Sequence, residues 1–330
     1  MAPSLRSVGI LGIGSHVPER VLTNAELERM VDTSDEWIIT RTGICERRIA
    51  EDGTAASDLA LPAARQALEM AQVAPEDLDL VVVATVSPDM PFPATAGLVQ
   101  DKLGASKAAA FDLGAGCTGF IYALAVGAQP IATGLYENAL VIGAEALSKI
   151  TDWTDRRTCV LLGDGAGAAV LAPAENGREL LSFYLRSDGS GWSSLHIPAG
   201  GTRLPATEAT VRDHLHYIHM NGQEIFKFAV RVLEEAILVA LDRAGVSLDQ
   251  VKLIVPHQAN IRIIDAAAKR LNLPMDRFVC NVDRYGNTSA ASIPIALDEA
   301  HREGRIQPGD YVVLVAFGAG LTWGATVLRW

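Results

Sequence analysis

Cysteine is scarce in this chain of 330 residues, and its four cysteines are widely separated. They are Cys45, Cys117, Cys159 and Cys280, and no C-x-x-C pair occurs among them. Zinc sites and disulfide frameworks depend on cysteines at short, regular spacings. The sequence therefore predicts neither, and each thiol is considered separately.

Positive charge is also in short supply. The chain has 28 lysines and arginines against 39 aspartates and glutamates, which gives a net charge of −11. Nucleic-acid binding requires a basic field around the phosphates, so we expect no nucleic-acid partner. An acidic protein partner would have to dock on a local basic face.

Long apolar runs are absent as well. A membrane-spanning helix needs about 20 consecutive apolar residues, and no stretch approaches that length. The first residues also lack the basic flank, apolar centre and cleavage site of a signal peptide. We therefore expect a cytoplasmic protein without membrane contact, and the 49% hydrophobic composition is typical of a globular fold.

Short apolar runs alternate with alanine-rich segments through the first half of the chain. Strand-like runs cover residues 81–86, 108–113 and 139–143, and helix-like segments cover residues 94–103 and 120–132. Continuous apolar runs are typical of strands that are covered on both faces. The pattern predicts a layered α/β fold.

Two parts of the chain are similar to each other. The strand at residues 80–85 and the glycine-rich segment at 114–124 have counterparts at 253–258 and 285–297. Such internal similarity predicts two related halves packed about a pseudo-twofold axis. Equivalent loops would then meet near the axis, where a site can be assembled. The predicted halves cover residues 1–175 and 176–330.

Cys117 lies where a predicted strand passes into a helix, in the sequence Gly-Ala-Gly-Cys-Thr-Gly-Phe. Its small neighbours permit the sharp turn that projects a nucleophile. The unpaired amides at a helix N-terminus also lower the pKa of a thiol. We assign Cys117 as a nucleophile, with a buried structural thiol as the alternative. The other three cysteines lack this setting and are interpreted as structural.

Two further polar residues occupy matching positions in the second half. His257 follows a buried-looking strand in Val-Pro-His-Gln-Ala-Asn, and Asn287 takes the position equivalent to the Cys117 turn. Sites form at the ends of α/β strands, although a lone histidine can be structural and an Asn after Gly can be a plain turn residue. The repeat favours convergence of all three side chains.

These side chains suit a decarboxylative condensation. Loss of carbon dioxide from a malonyl thioester itself creates the carbanion, so the reaction needs donors for the enolate oxygen rather than an obligatory base. Neutral His257 and Asn287 can each donate one hydrogen bond. The backbone amides of Cys117 and of Ala319, in a Phe-Gly-Ala-Gly-Leu loop, would hold the oxyanion of the acyl transfer steps.

Two competing motifs are weaker. The glycines of Gly12-Ile-Gly-Ser-His follow a strand, but Val17 stands where a dinucleotide-binding loop requires its last glycine. His214, His216 and His219 are close in sequence, yet in a strand the last of them would point away from the other two. No carboxylate spacing completes a metal site there. We therefore expect neither a dinucleotide-binding site nor a bound metal.

Four segments occur in order along the chain: Cys117 in its glycine-rich turn, Pro256-His257-Gln-Ala-Asn260, Tyr285-Gly-Asn287-Thr-Ser-Ala and Phe317-Gly-Ala-Gly-Leu-Thr-Trp. With these segments the chain resembles the β-ketoacyl-acyl-carrier-protein synthase III family, from its first strand to its last residue. The resemblance implies a thiolase-type α/β/α/β/α fold and a homodimer. It further implies an acyltransferase that uses acyl-CoA, with acetyl-CoA or another short primer, and malonyl-acyl carrier protein, with no tightly bound cofactor.

The resemblance also implies roles for residues outside the triad of Cys117, His257 and Asn287. An indole for stacking and guanidinium groups for phosphates suit the adenine end of coenzyme A. The implied coenzyme A and pantetheine contacts are Thr33, Trp37, Arg41, Arg156, Gly222, Phe226 and Asn260. The implied acyl pocket contains Thr118, Leu161 and Phe92, the last contributed by the dimer mate. The implied carrier-protein docking face contains Lys227, Arg262, Lys269 and Arg270.

Three residues depart from the commonest family pattern. Thr118 follows the nucleophile where a smaller residue is frequent, Arg157 stands where glycine is usual, and Ala319 replaces a frequent glycine. Thr118 and the loop at residues 89–92 are expected to reshape the acyl pocket. The primer is therefore left undefined.

Two other activities stay open. A related enzyme of polyketide or secondary metabolism would pass the acyl group to another acceptor, and an absence of carbon dioxide release would reveal a simple acyltransferase. A cysteine hydrolase with a Cys-His-Asn triad would hydrolyse thioesters without forming a carbon-carbon bond.

Overall fold

The computed structural model describes residues 5–330. The strands are β1 (Val8–His16), β2 (Val21–Thr23), β3 (Glu46–Arg48), β4 (Leu80–Ala84), β5 (Ala109–Leu113), β6 (Ala139–Glu145), β7 (Gly165–Pro173), β8 (Glu179–Ser187), β9 (Leu195–His196), β10 (His219–Met220), β11 (Val251–Pro256), β12 (Tyr311–Gly318) and β13 (Thr322–Arg329). The helices are α1 (Asn24–Leu27), α2 (Asp35–Thr42), α3 (Ala56–Ala71), α4 (Thr95–Leu103), α5 (Gly119–Ala132), α6 (Glu208–Arg212), α7 (Gly222–Ala244), α8 (Ile261–Leu271), α9 (Val282–Tyr285) and α10 (Ser292–Arg302).

Two mixed sheets form the framework. The first has the order β1-β7-β6-β4-β5, with β4 parallel to both β5 and β6 and with β7 antiparallel to its neighbours. The second has the order β11-β12-β13-β8, in which only the β11–β12 pair is parallel. Strand β4 is buried along its whole length, as its run of Val and Ala side chains requires.

The helices complete three layers around the two sheets. Helices α5 and α10 contact both sheets and lie between them. Helices α3 and α4 cover the outer face of the first sheet, and α7 and α8 cover the outer face of the second. The arrangement is α/β/α/β/α, and it confirms the predicted thiolase-like fold class.

The sequences of two helices explain their different positions. Helix α5 is apolar almost all round, because it packs against sheets on opposite sides. Helix α8 is strongly amphipathic. Its buried stripe includes Ile263, Ile264 and Leu271, whereas its basic residues, among them Arg262 and Lys269, remain exposed. One helix thus belongs to the interior and the other presents a charged surface.

The elements predicted in the first half lie within a few residues of their expected positions, as β4, α4, β5, α5 and β6. The strands of the first sheet all come from residues 8–173, and those of the second from residues 179–329. The division of the chain into two related halves at residue 175 stays a prediction. Among residues 5–330, no helix has the length and apolar character that crossing a bilayer requires.

The two competing motifs are explained by this architecture. The glycines at positions 12 and 14 lie inside β1 rather than in a loop that opens a helix. The three histidines do not share one strand, since His214 lies in a turn with a φ of 58° and only His219 belongs to β10. The strand considered for the histidines from sequence is therefore much shorter in the structure.

Candidate active site

Cys117 occupies a tight 3₁₀ turn, Gly116–Thr118, between β5 and α5. Gly116 has a φ of 54°, a conformation that glycine adopts without strain. The end of β12 and the loop that follows it lie directly against this turn, because a Cβ atom on Gly318, the last residue of β12, would come within 2.6 Å of the Cys117 nitrogen. The two glycines thus allow the second half of the chain to close over the thiol.

The same loop brings two backbone amides together. A Cβ atom on Gly116 would lie 2.9 Å from the nitrogen of Ala319, and Ala319 lines the same small cavity as Cys117. The amides of Cys117 and Ala319 are therefore neighbours beside the sulfur. Such a pair of backbone donors is the arrangement that stabilises an oxyanion.

The thiol of Cys117 is buried, with 9% of the residue exposed. Burial raises its pKa to about 12, which the Ser289 hydroxyl opposes and the Glu145 carboxylate reinforces. Burial thus outweighs the lowering that the sequence predicted from the helix N-terminus. The free thiol keeps its proton at neutral pH and must lose it as the substrate reacts.

His257 follows β11 and is 2% exposed. Its backbone N–H donates to the Val315 carbonyl at 2.8 Å, and its Nδ1 lies 2.7 Å from the Ser292 hydroxyl oxygen. Burial lowers the pKa of His257 to about 3, so the imidazole is neutral. When the Ser292 hydroxyl donates to Nδ1, the ring proton lies on Nε2, which can then donate to a substrate oxygen.

Asn287 is fixed at both ends. Its backbone N–H donates to the Leu161 carbonyl at 2.8 Å, which ties the turn to the segment before β7. Its side-chain Oδ1 accepts a hydrogen bond from the Ser289 N–H at 2.8 Å. Because the oxygen is occupied, the amide NH₂ group is the part of Asn287 left to donate.

A large cavity of about 810 Å³ brings the three residues together, since Cys117, His257 and Asn287 all line it. These residues are far apart along the chain, and the folding of the chain brings their side chains to one cavity. The lining of this cavity also includes the predicted residues Trp37, Arg41, Gly222, Phe226, Lys227, Asn260 and Arg262, as well as Arg157.

A second, apolar cavity of about 280 Å³ lies beside the thiol. Cys117, Asn287 and the predicted pocket residue Leu161 line both cavities. The remaining lining of the small cavity is mostly aliphatic and was not identified from sequence, since it comes from loops without periodic signals. It includes Val86, Leu147, Ile150, Leu162, Leu195, Ile197, Ile218 and Met220.

The other two predicted pocket residues lie elsewhere in this chain. Thr118 is buried but does not line either cavity. Its hydroxyl bonds to the Ala115 carbonyl at 2.8 Å and to the Thr322 hydroxyl. Phe92 is 87% exposed and touches neither cavity. Within one chain, the small cavity is thus formed without either side chain.

The mouth of the large cavity carries an aromatic and cationic cluster. The guanidinium of Arg156 lies 5.3 Å from the ring centre of the exposed Trp37, and Arg156 also donates to the Asp32 carbonyl at 2.5 Å. The hydroxyl oxygen of Thr33 is buried and has no hydrogen-bond partner among residues 5–330. The carbonyl of Arg41 accepts a hydrogen bond from Asn260 at 2.9 Å.

The four predicted docking residues differ in their surroundings. Lys227 and Arg262 line the large cavity, and the Arg262 guanidinium lies 5.5 Å from the ring centre of Phe226. Lys269 and Arg270 are instead engaged in ion pairs, with Asp265 at 2.6 Å and with Glu234 at 2.5 Å, respectively. Only the first two present unneutralised charge at the cavity.

The histidine segment makes separate hydrogen bonds. His214 Nδ1 lies 2.8 Å from an Asp152 carboxylate oxygen, and His216 Nε2 lies 3.0 Å from the Thr210 hydroxyl. No group of three His, Cys, Asp or Glu side chains within the described part of the chain is arranged to hold a metal ion.

Three polar residues that contact the site were not identified from sequence: Glu145, Ser289 and Ser292. Ser289 follows Asn287 in the turn and Ser292 begins α10 three residues later, so their proximity to Asn287 in sequence was a usable signal. Glu145 ends an apolar strand and is completely buried, so a charge at the end of such a strand was the other signal.

A buried cysteine, two neutral hydrogen-bond donors lining the same cavity and a layered α/β fold are the features of a condensing enzyme. The family model described as "3-Oxoacyl-[acyl-carrier-protein (ACP)] synthase III" matches residues 111–189. The family model for the C-terminal part of the same enzyme matches residues 241–330. The chain belongs to the 3-oxoacyl-[acyl-carrier-protein] synthase III family, also written β-ketoacyl-[acyl-carrier-protein] synthase III, whose members are acyltransferases.

Three known proteins illustrate the similarity. The chain is 61% identical to beta-ketoacyl-[acyl-carrier-protein] synthase III of Symbiobacterium thermophilum over 326 residues, 99% of each chain. The solved structure of the corresponding Thermus thermophilus enzyme is 52% identical, with a TM-score of 0.91, and covers 98% of this chain and 99% of its own. The priming β-ketosynthase of the R1128 polyketide pathway is 36% identical, with a TM-score of 0.91, over 100% and 98% of the two chains.

Proposed function

We propose that this chain transfers an acyl group from acyl-CoA to Cys117 and condenses it with malonyl-acyl carrier protein. The products are 3-oxoacyl-acyl carrier protein, coenzyme A and carbon dioxide, and the reaction initiates fatty acid synthesis. The observation that carries the proposal is the joining of two cavities at the thiol. The larger one is lined by His257 and Asn287, and the smaller one is predominantly apolar.

The first half-reaction is acyl transfer. The Cys117 sulfur attacks the thioester carbonyl, and the resulting oxyanion is held by the amides of Cys117 and Ala319. Collapse of the tetrahedral intermediate releases coenzyme A and leaves the acyl chain in the apolar cavity. A mostly aliphatic wall suits this chain because the acyl group is removed from water on entering it.

The second half-reaction is decarboxylation and condensation. Loss of carbon dioxide from the malonyl thioester places negative charge on its carbonyl oxygen. His257 Nε2 and the Asn287 amide are the two donors proposed for that oxygen. His257 is buried and Asn287 is half-buried, and hydrogen bonds to charge are strong where water is partly excluded. The carbanion then attacks the acyl carbonyl and releases Cys117.

Coenzyme A is proposed to enter along the large cavity as a substrate, without any tightly bound cofactor. Trp37 and Arg156 offer an aromatic face and a planar cation to the adenine end, and Arg41 offers a charge to the phosphates. Thr33 follows Asp32, whose carbonyl accepts from Arg156, and its proposed contact with coenzyme A stays a prediction from the resemblance. Gly222, Phe226 and Asn260 line the path of the pantetheine arm.

The acyl carrier protein is the proposed partner at the same mouth. Lys227 and Arg262 provide free positive charge beside the cavity, and Lys269 and Arg270 extend the basic face along α8. A basic patch on a chain of net charge −11 suits an acidic partner, because opposite charges speed and orient the encounter.

We propose a homodimer that forms along the exposed edge of the first sheet. Strand β5 is an edge strand with a half-exposed surface, and Phe111 on it is 39% exposed. Phe92 nearby in sequence is 87% exposed, which is unusual for a large apolar side chain. A second copy on this edge would cover both and would bring Phe92 to the partner's acyl pocket. A cytoplasmic location stays a prediction from the sequence.

The volume of the small cavity limits the size of the acyl primer. A cavity of about 150 Å³ can hold a benzene ring, so 280 Å³ exceeds what an acetyl group needs. Branched and slightly longer short-chain primers therefore belong in any test. The likeness to the R1128 priming enzyme favours one alternative, the supply of a starter unit to a polyketide pathway.

The proposal is tested by intact mass after incubation with a panel of acyl-CoAs, followed by a chase with malonyl-acyl carrier protein. We expect an acyl mass on Cys117 that the chase removes as a 3-oxoacyl product two carbons longer. Cys117→Ser should keep the fold and lose this condensation. Loading that water alone clears would indicate a hydrolase. Loading that the chase leaves in place would indicate an acyltransferase with another acceptor.

A further inference from the structure

A buried carboxylate lies behind the nucleophile, and the proposed reaction gives it no role. Glu145 is completely buried, and its Oε2 accepts hydrogen bonds from the Ser87 hydroxyl (2.6 Å) and the Val86 N–H (3.1 Å). Its Oε1 is equally buried and has no hydrogen-bond partner of regular geometry among residues 5–330, although the Ser289 hydroxyl and the Ala290 N–H lie close enough to the carboxylate to lower its pKa. Because an unpaired buried carboxylate oxygen is costly, Oε1 calls for a functional explanation.

Ser289 connects this carboxylate with the thiol. Its φ of 47° is a left-handed conformation that serine adopts only under constraint, and its N–H is held by Asn287. Its side chain lines the small cavity together with Cys117. Its hydroxyl oxygen is buried and likewise has no regular partner within the described residues, yet it lies close enough to lower the pKa of both Cys117 and Glu145. Two unsatisfied oxygen atoms and one thiol thus form a single cluster.

The thiol needs a proton acceptor, and His257 is poorly suited to that task. Burial lowers the pKa of His257 to about 3, whereas burial raises the pKa of Cys117 to about 12. Transfer from this thiol to this imidazole is therefore strongly unfavourable. Burial raises the pKa of Glu145, so its carboxylate is a stronger base than an exposed one.

We propose that Glu145 accepts the proton of Cys117 and that the Ser289 hydroxyl relays it. As Sγ attacks the acyl carbonyl carbon, the thiol proton passes to Ser289 Oγ while the Ser289 hydroxyl proton passes to Glu145 Oε1. The bond between Sγ and the carbonyl carbon forms, and the bond from that carbon to the coenzyme A sulfur breaks. The proton returns through Ser289 to the departing thiolate, so coenzyme A leaves as a thiol and the carboxylate is restored. The relay serves the acyl transfer of the proposed function and rests on it.

The experiment measures single-turnover acylation of Cys117 by rapid quench and intact mass, across pH. Glu145→Gln keeps an oxygen for the Ser87 and Val86 donors but removes the proton acceptor. We expect acylation at pH 7 to slow roughly 10²- to 10⁴-fold, the range of general base catalysis. The deficit should shrink about tenfold per pH unit as the pH rises, because hydroxide then ionises the thiol directly. A purely structural defect would not depend on pH in this way.

Two companion variants sharpen the test. Ser289→Gly removes the hydroxyl and suits the positive φ, so it should reproduce both the loss and the pH profile. Asp298→Asn neutralises another buried carboxylate, 2% exposed, which contacts Ser15 (2.6 Å) and Arg302 (2.9 Å) away from the thiol. It should lower the melting temperature and leave acylation unchanged.

The relay is overturned if Glu145→Gln acylates at the wild-type rate, or if its deficit is the same at every pH. If no acyl-CoA loads the wild-type protein, the proposed function fails instead. The relay is then judged from alkylation of Cys117 by iodoacetamide. Slower alkylation in Glu145→Gln supports it, and equal or faster alkylation contradicts it.

Discussion

The inner end and the mouth of the large cavity differ in solvent exposure and in the interactions that hold their side chains. At the inner end, buried His257 and half-buried Asn287 are each held by hydrogen bonds to fixed neighbours, Ser292 and Ser289. At the mouth, the exposed Trp37 ring interacts with the Arg156 guanidinium in contact with solvent. Electrostatic effects are strong in the first setting and screened in the second. The comparison teaches that the chemistry depends on the interior, while affinity and partner choice depend on the rim.

The largest expected effect is at the inner end. Asn287→Asp keeps the shape of the side chain and removes the amide donor. We expect condensation from the preloaded acyl-enzyme to slow roughly 10²- to 10³-fold, as when one oxyanion donor is lost, and initial acylation to change only a few-fold. Carbon dioxide release and acyl loading, measured separately, check this. An equal loss in both half-reactions would contradict the division of roles.

The acyl cavity should show the next largest effect. Ile218→Trp fills the small cavity and should reduce kcat/KM for four-carbon and longer primers relative to acetyl-CoA by about 10- to 200-fold, the range for a misfit of a methylene or so. Ile150→Ala should shift the preference the other way. Competition between two acyl-CoAs with mass detection measures the ratio. Val211→Trp, at an exposed position outside both cavities, should leave the ratio unchanged.

A smaller effect is expected at the mouth. Trp37→Ala removes the ring on which Arg156 stacks, and KM for acyl-CoA should rise roughly 2- to 30-fold, given about 0.5–2 kcal/mol for such contacts. The value of kcat at saturation should stay close to wild type, since the ring is remote from the thiol. Trp192→Ala is the matched control, because Trp192 is 56% exposed and lines neither cavity. A fall in kcat for Trp37→Ala would contradict the separation of rim and interior.

The smallest expected effect distinguishes two basic residues of α8. Arg262→Ala should raise KM for malonyl-acyl carrier protein a few-fold, and more salt should shrink the difference. Lys269→Ala should change it less, because the lysine already forms an ion pair with Asp265 at 2.6 Å. Steady-state kinetics at two salt concentrations test the order. An equal effect of both substitutions would show that this ion pair opens on docking.

Prediction from the sequence succeeded where the signal was local. The apolar run of β4 and the glycine-rich turn before α5 were both identified, because burial on two faces and a tight turn each demand particular residues. The aliphatic walls of the small cavity were not identified, because Leu147 and Ile150 lie in one short 3₁₀ turn after β6, whereas Ile218 lies far along the chain, just before β10. Their common role as cavity walls depends on which distant segments pack together, and a local sequence pattern contains no information about that.

The sequence by itself determined the layered α/β class and indicated Cys117 as the candidate nucleophile, since both inferences rest on residue types over short windows. Only the tertiary structure decided the ionisation of Cys117. The turn alone predicted a lowered pKa, but the loop after β12 covers the thiol, and burial raises the pKa instead. The fold likewise placed Glu145 and Ser289 behind the sulfur. Desolvation is set by everything packed around a group, so it becomes defined only when distant segments meet.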